Sequence, residues 1–341
     1  MRLLVTGATG FVGQSVVLAA LDAGYHVRGL IRDPAKAAVV YGERPIELAV
    51  GDAMSRRDLL LALEGVDVLV QAASTYSYRR EDASTMVRDN PAIADVVLSA
   101  ARDAGTPHVI DISSAVVFRP HPEGPHAGTV GIHSPLWDAS DREWSDPYLR
   151  SKVLAEEVVA RHRAKGAAVS TIHPSLIIGP RDRGPGQSGA ILQALLTDPS
   201  VYLDGGASWV DARDVADAIV RLASRPPGDR VILSGTDARY RRLAAVLDGL
   251  TGRSVRRMWL PAGLVKAAVR LNDRFDGRLR TDLPTRAGLE WTLTIGPIDG
   301  SSGEGLLGRS YRPLDETLAD TLRWWSDHGI IPRAWVGRLA L

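Results

Sequence analysis

A short apolar run, Arg2 to Thr6, leads directly into Thr6-Gly7-Ala8-Thr9-Gly10-Phe11-Val12-Gly13, and a stretch with apolar residues at helical spacing follows to Ala23. This order of strand, glycine turn and helix constrains the chain more than any other feature. Glycines spaced G-x-x-G-x-x-G at that place leave backbone amides free at the positive end of a helix, where a pyrophosphate can sit, and the third glycine lets the helix pack closely. Gly7, Thr9, Gly10, Phe11, Val12 and Gly13 are therefore expected to hold a dinucleotide. A tight turn without a ligand is the plainer alternative.

The rest of the first half repeats the same alternation. Arg2 to Thr6, His26 to Ile31, Ile46 to Val50, Val66 to Gln71, His108 to Ile112 and Ala168 to His173 read as near-continuously apolar strands, as expected of a parallel sheet covered on both faces. Phe11 to Ala23, Arg56 to Leu63, Ala92 to Ala104 and Tyr148 to Lys165 read as helices, with Gly24, Gly65, Gly105 and Gly166 at their C-caps. The expectation is an α/β fold with a doubly wound parallel sheet. Beyond residue 174 the alternation weakens and Pro and Gly punctuate the chain, so residues 1–174 are assigned mainly to the dinucleotide-binding domain. Residues 175–341 are assigned mainly to a smaller C-terminal substrate-binding lobe, with some segments returning to the sheet. Leu318, Leu322 and Trp325 share a helical face, so the tail is expected to dock.

Charge and cysteine content narrow the partners. With 41 basic and 40 acidic side chains the net charge is +1, too little field to predict binding to nucleic acid or to an anionic membrane. No cysteine is present, which rules out a disulfide framework, a thiolate zinc site and a cysteine nucleophile, and fits a reducing cytoplasm. No apolar stretch approaches the roughly 20 residues of a membrane span, and Leu3-Leu4-Val5 is too short for a signal peptide. The histidines match no zinc spacing, so no metal is expected. The expected partner is a small-molecule carbonyl or alcohol, with a homodimer left open.

Further candidates fall where parallel strands end. After the second strand, Arg28 and Arg32 stand in place of the acidic residue that accepts ribose hydroxyls from NAD, and a guanidinium suits the 2′-phosphate of NADP. NADP(H) is thus favoured over NAD(H), with Arg32 as the contact and Lys36 assisting. Solvated surface arginines, with Asp33 as the ribose acceptor, are the alternative. Asp52 and Ala53 follow the third strand, where an adenine contact is expected. Ala72, Ala73 and Ser74 follow the fourth, where small side chains let a cofactor approach the backbone.

Tyr148 and Lys152 lie four residues apart in an expected helix, so phenol and ammonium share one face. A phenol with the ordinary pKa of roughly 10 is nearly inert as a base at neutral pH, and a neighbouring cation stabilises the phenolate. The bland reading is a surface pair. Ser113 and Ser114 follow the fifth strand at the same sheet edge, either contacting a substrate oxygen or capping the next segment.

Taken in order, TGATGFVG, Asp52, the Ser114 region and Tyr148-x-x-x-Lys152 resemble the extended short-chain dehydrogenase/reductase family, over nearly the whole chain. Asn90, His173-Pro174-Ser175-Leu176-Ile177-Ile178-Gly179-Pro180 and Trp209 to Ala216 add to the likeness. The Val27 to Pro34 and Tyr311 to Leu314 phrases are similar to dihydroflavonol reductase-like members. The resemblance implies a Rossmann-type fold and an NADPH-dependent oxidoreductase that interconverts a ketone or aldehyde with an alcohol. It implies Tyr148 as proton donor, Lys152 as the residue that lowers the tyrosine pKa and holds the nicotinamide ribose, and Ser114 as the residue that positions the reacting oxygen. Asn90 would support the local helix and a proton relay, and Pro174 and Ser175 would join the cofactor contacts. Ser74, Ser114, Tyr148 and His173 would border the substrate. Gln71 stands where many members have histidine, and His173 where many have arginine.

Other readings remain. A nucleotide-sugar epimerase of the same family is second, while a dehydratase is disfavoured because Ala115-Val116-Val117 offers no acidic pair. A non-catalytic NADP-binding sensor is the alternative from another class. Arg119 to Trp144, with His121, His126 and His133, and the loop Arg181 to Gly189 would border the carbonyl pocket. Trp137, Trp144 and Trp209 either shape an apolar substrate site or pack in the core, the latter being the commoner role for large aromatics.

Overall fold

The computed structural model describes residues 1–77, 82–119, 128–138, 146–183, 186–274, 293 and 297–340. Among them, seven parallel strands form the main sheet: β1 (Arg2–Thr6), β2 (His26–Ile31), β3 (Glu47–Val50), β4 (Val68–Gln71), β5 (His108–Ile112), β6 (Val169–Pro174) and β10 (Arg230–Leu233). Their order is β3-β2-β1-β4-β5-β6-β10. β2 and β3 lie on one side of β1, and the chain then crosses back to lay β4 on its other side, so the crevice beyond the carboxyl ends of β1 and β4 is the place where such sheets take ligands.

Alternation along each strand sorts its residues between two helical layers. Leu3, Val5, Val68, Val70, Ile110 and Ile172 pack against α1 (Phe11–Asp22) and α7 (Ala212–Ala223). Leu4, Leu69, Val109 and Val169 face the other way, onto α3 (Arg56–Ala62), α4 (Ala83–Asp103) and α5 (Pro147–Ala164). Toward the carboxyl ends this second face turns polar. Thr6, Gln71, Asp111 and Thr171 are register partners in one row across β1, β4, β5 and β6.

Three sequence expectations need correction. β3 is the edge strand, with Leu48 and Val50 exposed, so it is not covered on both faces. α4 begins at Ala83 and runs through Pro91, whereas the sequence reading starts it after the proline. Met86, Asn90, Ile93, Ala94 and Val97 make one buried stripe, and that packing carries the helix past the backbone bond the proline removes. A helix missing from that reading, α2 (Pro34–Tyr41), follows β2; Asp33 caps it by accepting the amides of Ala35 and Lys36, and Pro34 pre-sets its first turn.

Beyond residue 174 lie β7 (Leu176–Ile178), β8 (Ser200–Leu203), β9 (Gly206–Asp211), β11 (Thr236–Arg239) and β12 (Arg257–Leu260). β11-β9-β7 form one small sheet and β12-β8 another. They pack with α6 (Gln187–Leu196), α8 (Tyr240–Thr251), α9 (Ala262–Arg274) and α11 (Leu314–Asp327). Trp209, Leu243, Leu318, Leu322 and Trp325 are buried in the core of this lobe, so the tail is docked through the face read from its periodicity.

The same half of the chain also completes the main sheet. α10 (Ser301–Leu307) lays Leu306 and Leu307 beside Val231 and Leu233 of β10, and Ser302 Oγ accepts the Ile232 amide at 3.1 Å. The Tyr311 hydroxyl donates to the Gly300 carbonyl at 2.8 Å and accepts the Ser234 amide at 3.3 Å. Arg309 and Arg312 bind the fully buried Asp214 of α7. No described helix is long and apolar enough to cross a membrane.

Candidate active site

Gly7 has φ +61°, and a Cβ placed on it would lie 2.8 Å from the Ala72 carbonyl oxygen. A Cβ on Gly13 would lie 2.2 Å from the Gly7 carbonyl oxygen. The turn after β1, the start of α1 and the end of β4 therefore meet at a closeness that only glycine allows. Gly10 is the N-cap of α1 and no side chain caps that helix, so the amides of Phe11, Val12 and Gly13 are left for a ligand. Thr6 Oγ1 locks the crevice by accepting the Ala72 and Ala73 amides, each at 3.1 Å, and by donating to Gln71 Oε1. Gln71 Nε2 in turn donates to the Ala73 carbonyl at 2.8 Å. Gln71, read as a departure from the family pattern, is thus a brace for Ala72 and Ala73.

Around this cradle the other predicted contacts sit at neighbouring strand ends. Arg32 is exposed after β2, with no partner among the described residues, and Asp33 beside it uses one oxygen to cap α2. Arg28 turns away. Its Nε donates to Glu47 at 2.8 Å and its Nη1 to the Ala62 and Glu64 carbonyls, and it is 9% exposed, so it is a structural residue and not a phosphate contact. Asp52 Oδ1 accepts the Met54 amide, and Ala53 is buried. Pro174 ends β6, and the Oγ of Ser175 is buried without a partner among the described residues. A cradle that a Cβ would fill, an uncapped helix start and an orphaned hydroxyl together fit a dinucleotide.

Tyr148 and Lys152 lie on one face of α5, whose first turn Asp146 caps by accepting the Leu149 amide at 2.9 Å. Lys152 is 9% exposed and its Nζ donates to the Ile112 carbonyl at 3.4 Å. Tyr148 is half-buried, and the ring of Tyr76 stands against it. Asn90 ties these parts together. Its Oδ1 accepts the Thr75 amide at 2.8 Å and the Ser74 hydroxyl at 3.2 Å, while its Nδ2 donates to Ser151 Oγ at 3.0 Å. Ser151 then donates to the Tyr148 carbonyl at 2.8 Å, within the turn between tyrosine and lysine. Ser74, Asn90, Asp111, Ser113 and Lys152 line one cleft with about 300 Å³ of empty space, partly open to solvent.

The two serines after β5 sit in different settings. Ser114 is half-buried and its Oγ accepts the Val116 amide at 3.3 Å, capping the 3-10 turn Ala115–Val117. Ser113 is 8% exposed, lines the cleft with Lys152 and donates to Glu156. His173, expected at the substrate, is instead wholly buried: its Nε2 donates to Glu156 at 2.8 Å and its ring packs on Phe118. That expectation fails because the strand end faces α5 and not the cleft. Burial alone would raise the Glu156 carboxyl, but bonds from His173 and Ser113, with Arg230 nearby, outweigh it and hold the group at about 2.

Two further residues absent from the sequence reading stand out, Glu156 and Asp111. The signal was present as polar residues at period two, Asp111 and Ser113, Thr171 and His173, inside otherwise apolar strands. Trp137 and Trp209 are core residues, and His133 is exposed. His121, His126, Trp144 and residues 184–185 of the loop lie outside the described residues.

The model of the NAD dependent epimerase/dehydratase family matches residues 3–233. The chain is 28% identical over 336 residues to "Sterol demethylase protein B" of Methylococcus capsulatus, covering 97% of this chain and 100% of that protein. It is 27% identical over 334 residues to the "Putative dihydroflavonol 4-reductase" of a Synechocystis species, covering 96% and 95% respectively. The solved structure of gox2253 superposes with a TM-score of 0.83 at 27% identity, covering 96% of this chain and 98% of that one.

Proposed function

The chain belongs to the NAD dependent epimerase/dehydratase family, and from that membership we propose that it is an NADPH-dependent oxidoreductase interconverting a ketone or aldehyde with an alcohol. One observation carries the proposal. Tyr148 and a nine-tenths buried Lys152 occupy one face of a helix at the sheet edge where the glycine cradle opens.

Gly7, Gly10, Gly13 and the first-turn amides of α1 would hold the pyrophosphate, with Asp52 and Ala53 toward the adenine and Ala72, Ala73, Pro174 and Ser175 lining the remainder. When bound there, the nicotinamide supplies or accepts hydride. Tyr148 gives its hydroxyl proton to the substrate oxygen in reduction and takes it back in oxidation. The Lys152 ammonium stabilises the phenolate left behind, and Ser114 orients the oxygen by a hydrogen bond. A positioned acid of this kind contributes roughly 10² to 10⁴-fold. The exposed Arg32, unpartnered among the described residues, supports NADPH over NADH.

The test is NADPH oxidation across a panel of ketones, aldehydes and nucleotide-sugar ketones, repeated with Tyr148→Phe. Loss of turnover with retained dinucleotide binding is expected. Undiminished turnover in that variant would remove Tyr148 as the acid, and binding without turnover of any panel member by the unaltered protein would favour the sensor.

A further inference from the structure

Among the described residues, one group in the polar row across the sheet has no hydrogen-bond partner. Thr6 and Gln71 bond one another, and Arg163 donates to Thr171. Two residues along β5, Ser113 donates to Glu156, which His173 also holds. Asp111, between Gln71 and Thr171, is 7% exposed, and its carboxyl makes no hydrogen bond among the described residues. It lines the cleft together with Lys152, Ser113 and Asn90. A buried carboxylate with nothing donating to it is costly, and the cost is relieved by carrying a proton or by binding water in the open part of the cleft.

The groups around it come from every neighbouring element. α5 presents Lys152, Glu156 and Arg163, and β6 presents His173 on Glu156. Arg230 of β10 faces Glu156. β4 and α4 contribute the neutral Gln71, Asn90 and Ala94. Burial, then the Glu156 carboxylate, pushes the Asp111 carboxyl up to about 7, against the opposing pull of Lys152 and Arg163.

We propose that Asp111 is a proton store for the reaction, returning to Lys152 through water in the cleft the proton that Tyr148 delivers to substrate. The inference rests on the acid and base roles proposed for Tyr148 and Lys152. In reduction the Tyr148 O–H bond breaks as the substrate O–H bond forms, and hydride from the dinucleotide completes the alcohol. The phenolate takes a proton from the Lys152 ammonium. The resulting amine takes one from the Asp111 carboxylic acid through water, and the carboxylate recovers a proton from bulk solvent. Each turn consumes one hydride and one solvent proton. Asp111 touches neither substrate nor dinucleotide; it acts through Lys152 as a positioning residue for the proton.

The experiment pairs a titration of the ligand-free protein with a pH profile. Difference infrared spectroscopy should find a carboxylic acid that ionises at about 7, lost in Asp111→Asn and kept in Tyr148→Phe. Steady-state kinetics should show kcat for reduction falling as pH rises through that point in the unaltered protein. In Asp111→Asn that inflection should vanish and kcat should drop at least about tenfold, with KM for dinucleotide and ketone within about twofold. A profile and kcat left unchanged by Asp111→Asn would overturn the proposal, as would the absence of any carboxyl ionising near neutrality. If Asp111→Asn does not fold, Lys152→Met substitutes: the carboxyl should then ionise at higher pH, and an unmoved titration overturns the proposal. Tyr148→Phe separates the two ideas, because turnover retained in that variant removes the acid while the infrared titration still reports on Asp111.

Discussion

Tyr76 stands edge-on to Tyr148, with ring centroids 4.9 Å apart and planes at 90°. The neighbouring Thr75 is held by Asn90, so the strand-end turn that carries Tyr76 is fixed to α4 and frames the phenol of α5. Edge-to-face pairs contribute about 0.5–1.5 kcal/mol beyond burial. Tyr76→Ala should lower kcat/KM for the ketone roughly three- to tenfold while dinucleotide affinity holds, and Tyr76→Phe should restore it. Steady-state kinetics with a fluorescence titration of the dinucleotide decide the matter; equal losses in both variants would count against a ring contact.

Arg32 and Arg28 should separate cleanly. Loss of a charge-assisted contact is worth about 1.5–3 kcal/mol, so Arg32→Ala should weaken NADPH roughly 10- to 100-fold and leave NADH nearly unchanged. Calorimetric titration of both nucleotides checks this, and a parallel loss for the two would remove the phosphate role.

Arg28→Met should act on stability instead. It strands the Ala62 and Glu64 carbonyls, which Arg28 now satisfies, at about 1–3 kcal/mol. Denaturant melts should show the loss while the NADPH/NADH affinity ratio stays constant.

Stability should vary with pH in two windows of opposite sign. The folded Asp111 carboxyl keeps its proton up to about 7 whereas the unfolded one releases it at the ordinary value, so stability falls as pH rises through that window. Glu156 has the reverse sense: it is ionised in the fold down to about 2, so its contribution is present above the ordinary glutamate range and is lost as pH falls. Asp111→Asn should flatten the neutral-side slope, recovering on the order of 3 kcal/mol at alkaline pH and little near pH ~4. Melts across the range test it; a parallel displacement at all pH values would contradict the assignment.

The central strands were legible because a strand buried on both faces is apolar at nearly every position, as β1 and β4 are. β3 carries the same composition at an exposed edge, so composition could not tell its place. Pro91 marked a helix start that tertiary packing overrode, and Asp33, legible only as an alternative ribose acceptor, also caps α2 ahead of Pro34. At the site, the glycine cradle and the Tyr148–Lys152 spacing are local in sequence and could be read. The pairing of His173 with Glu156, and the exposure of Asp111 to the cleft, depend on which layer a strand end faces, and single polar letters in apolar runs do not state that. The short strands of the C-terminal lobe lack any period long enough to read.

Because α10 and Tyr311 cover β10, the seventh strand of the main sheet stays bare on one face until residues past 300 have been synthesised. A chain emerging from the ribosome N-terminus first can build the glycine cradle early, yet it must carry Val231 and Leu233 unprotected for most of the remaining translation. A stop codon just before Gly300 would release an aggregation-prone fragment with an open flank, not a smaller working enzyme.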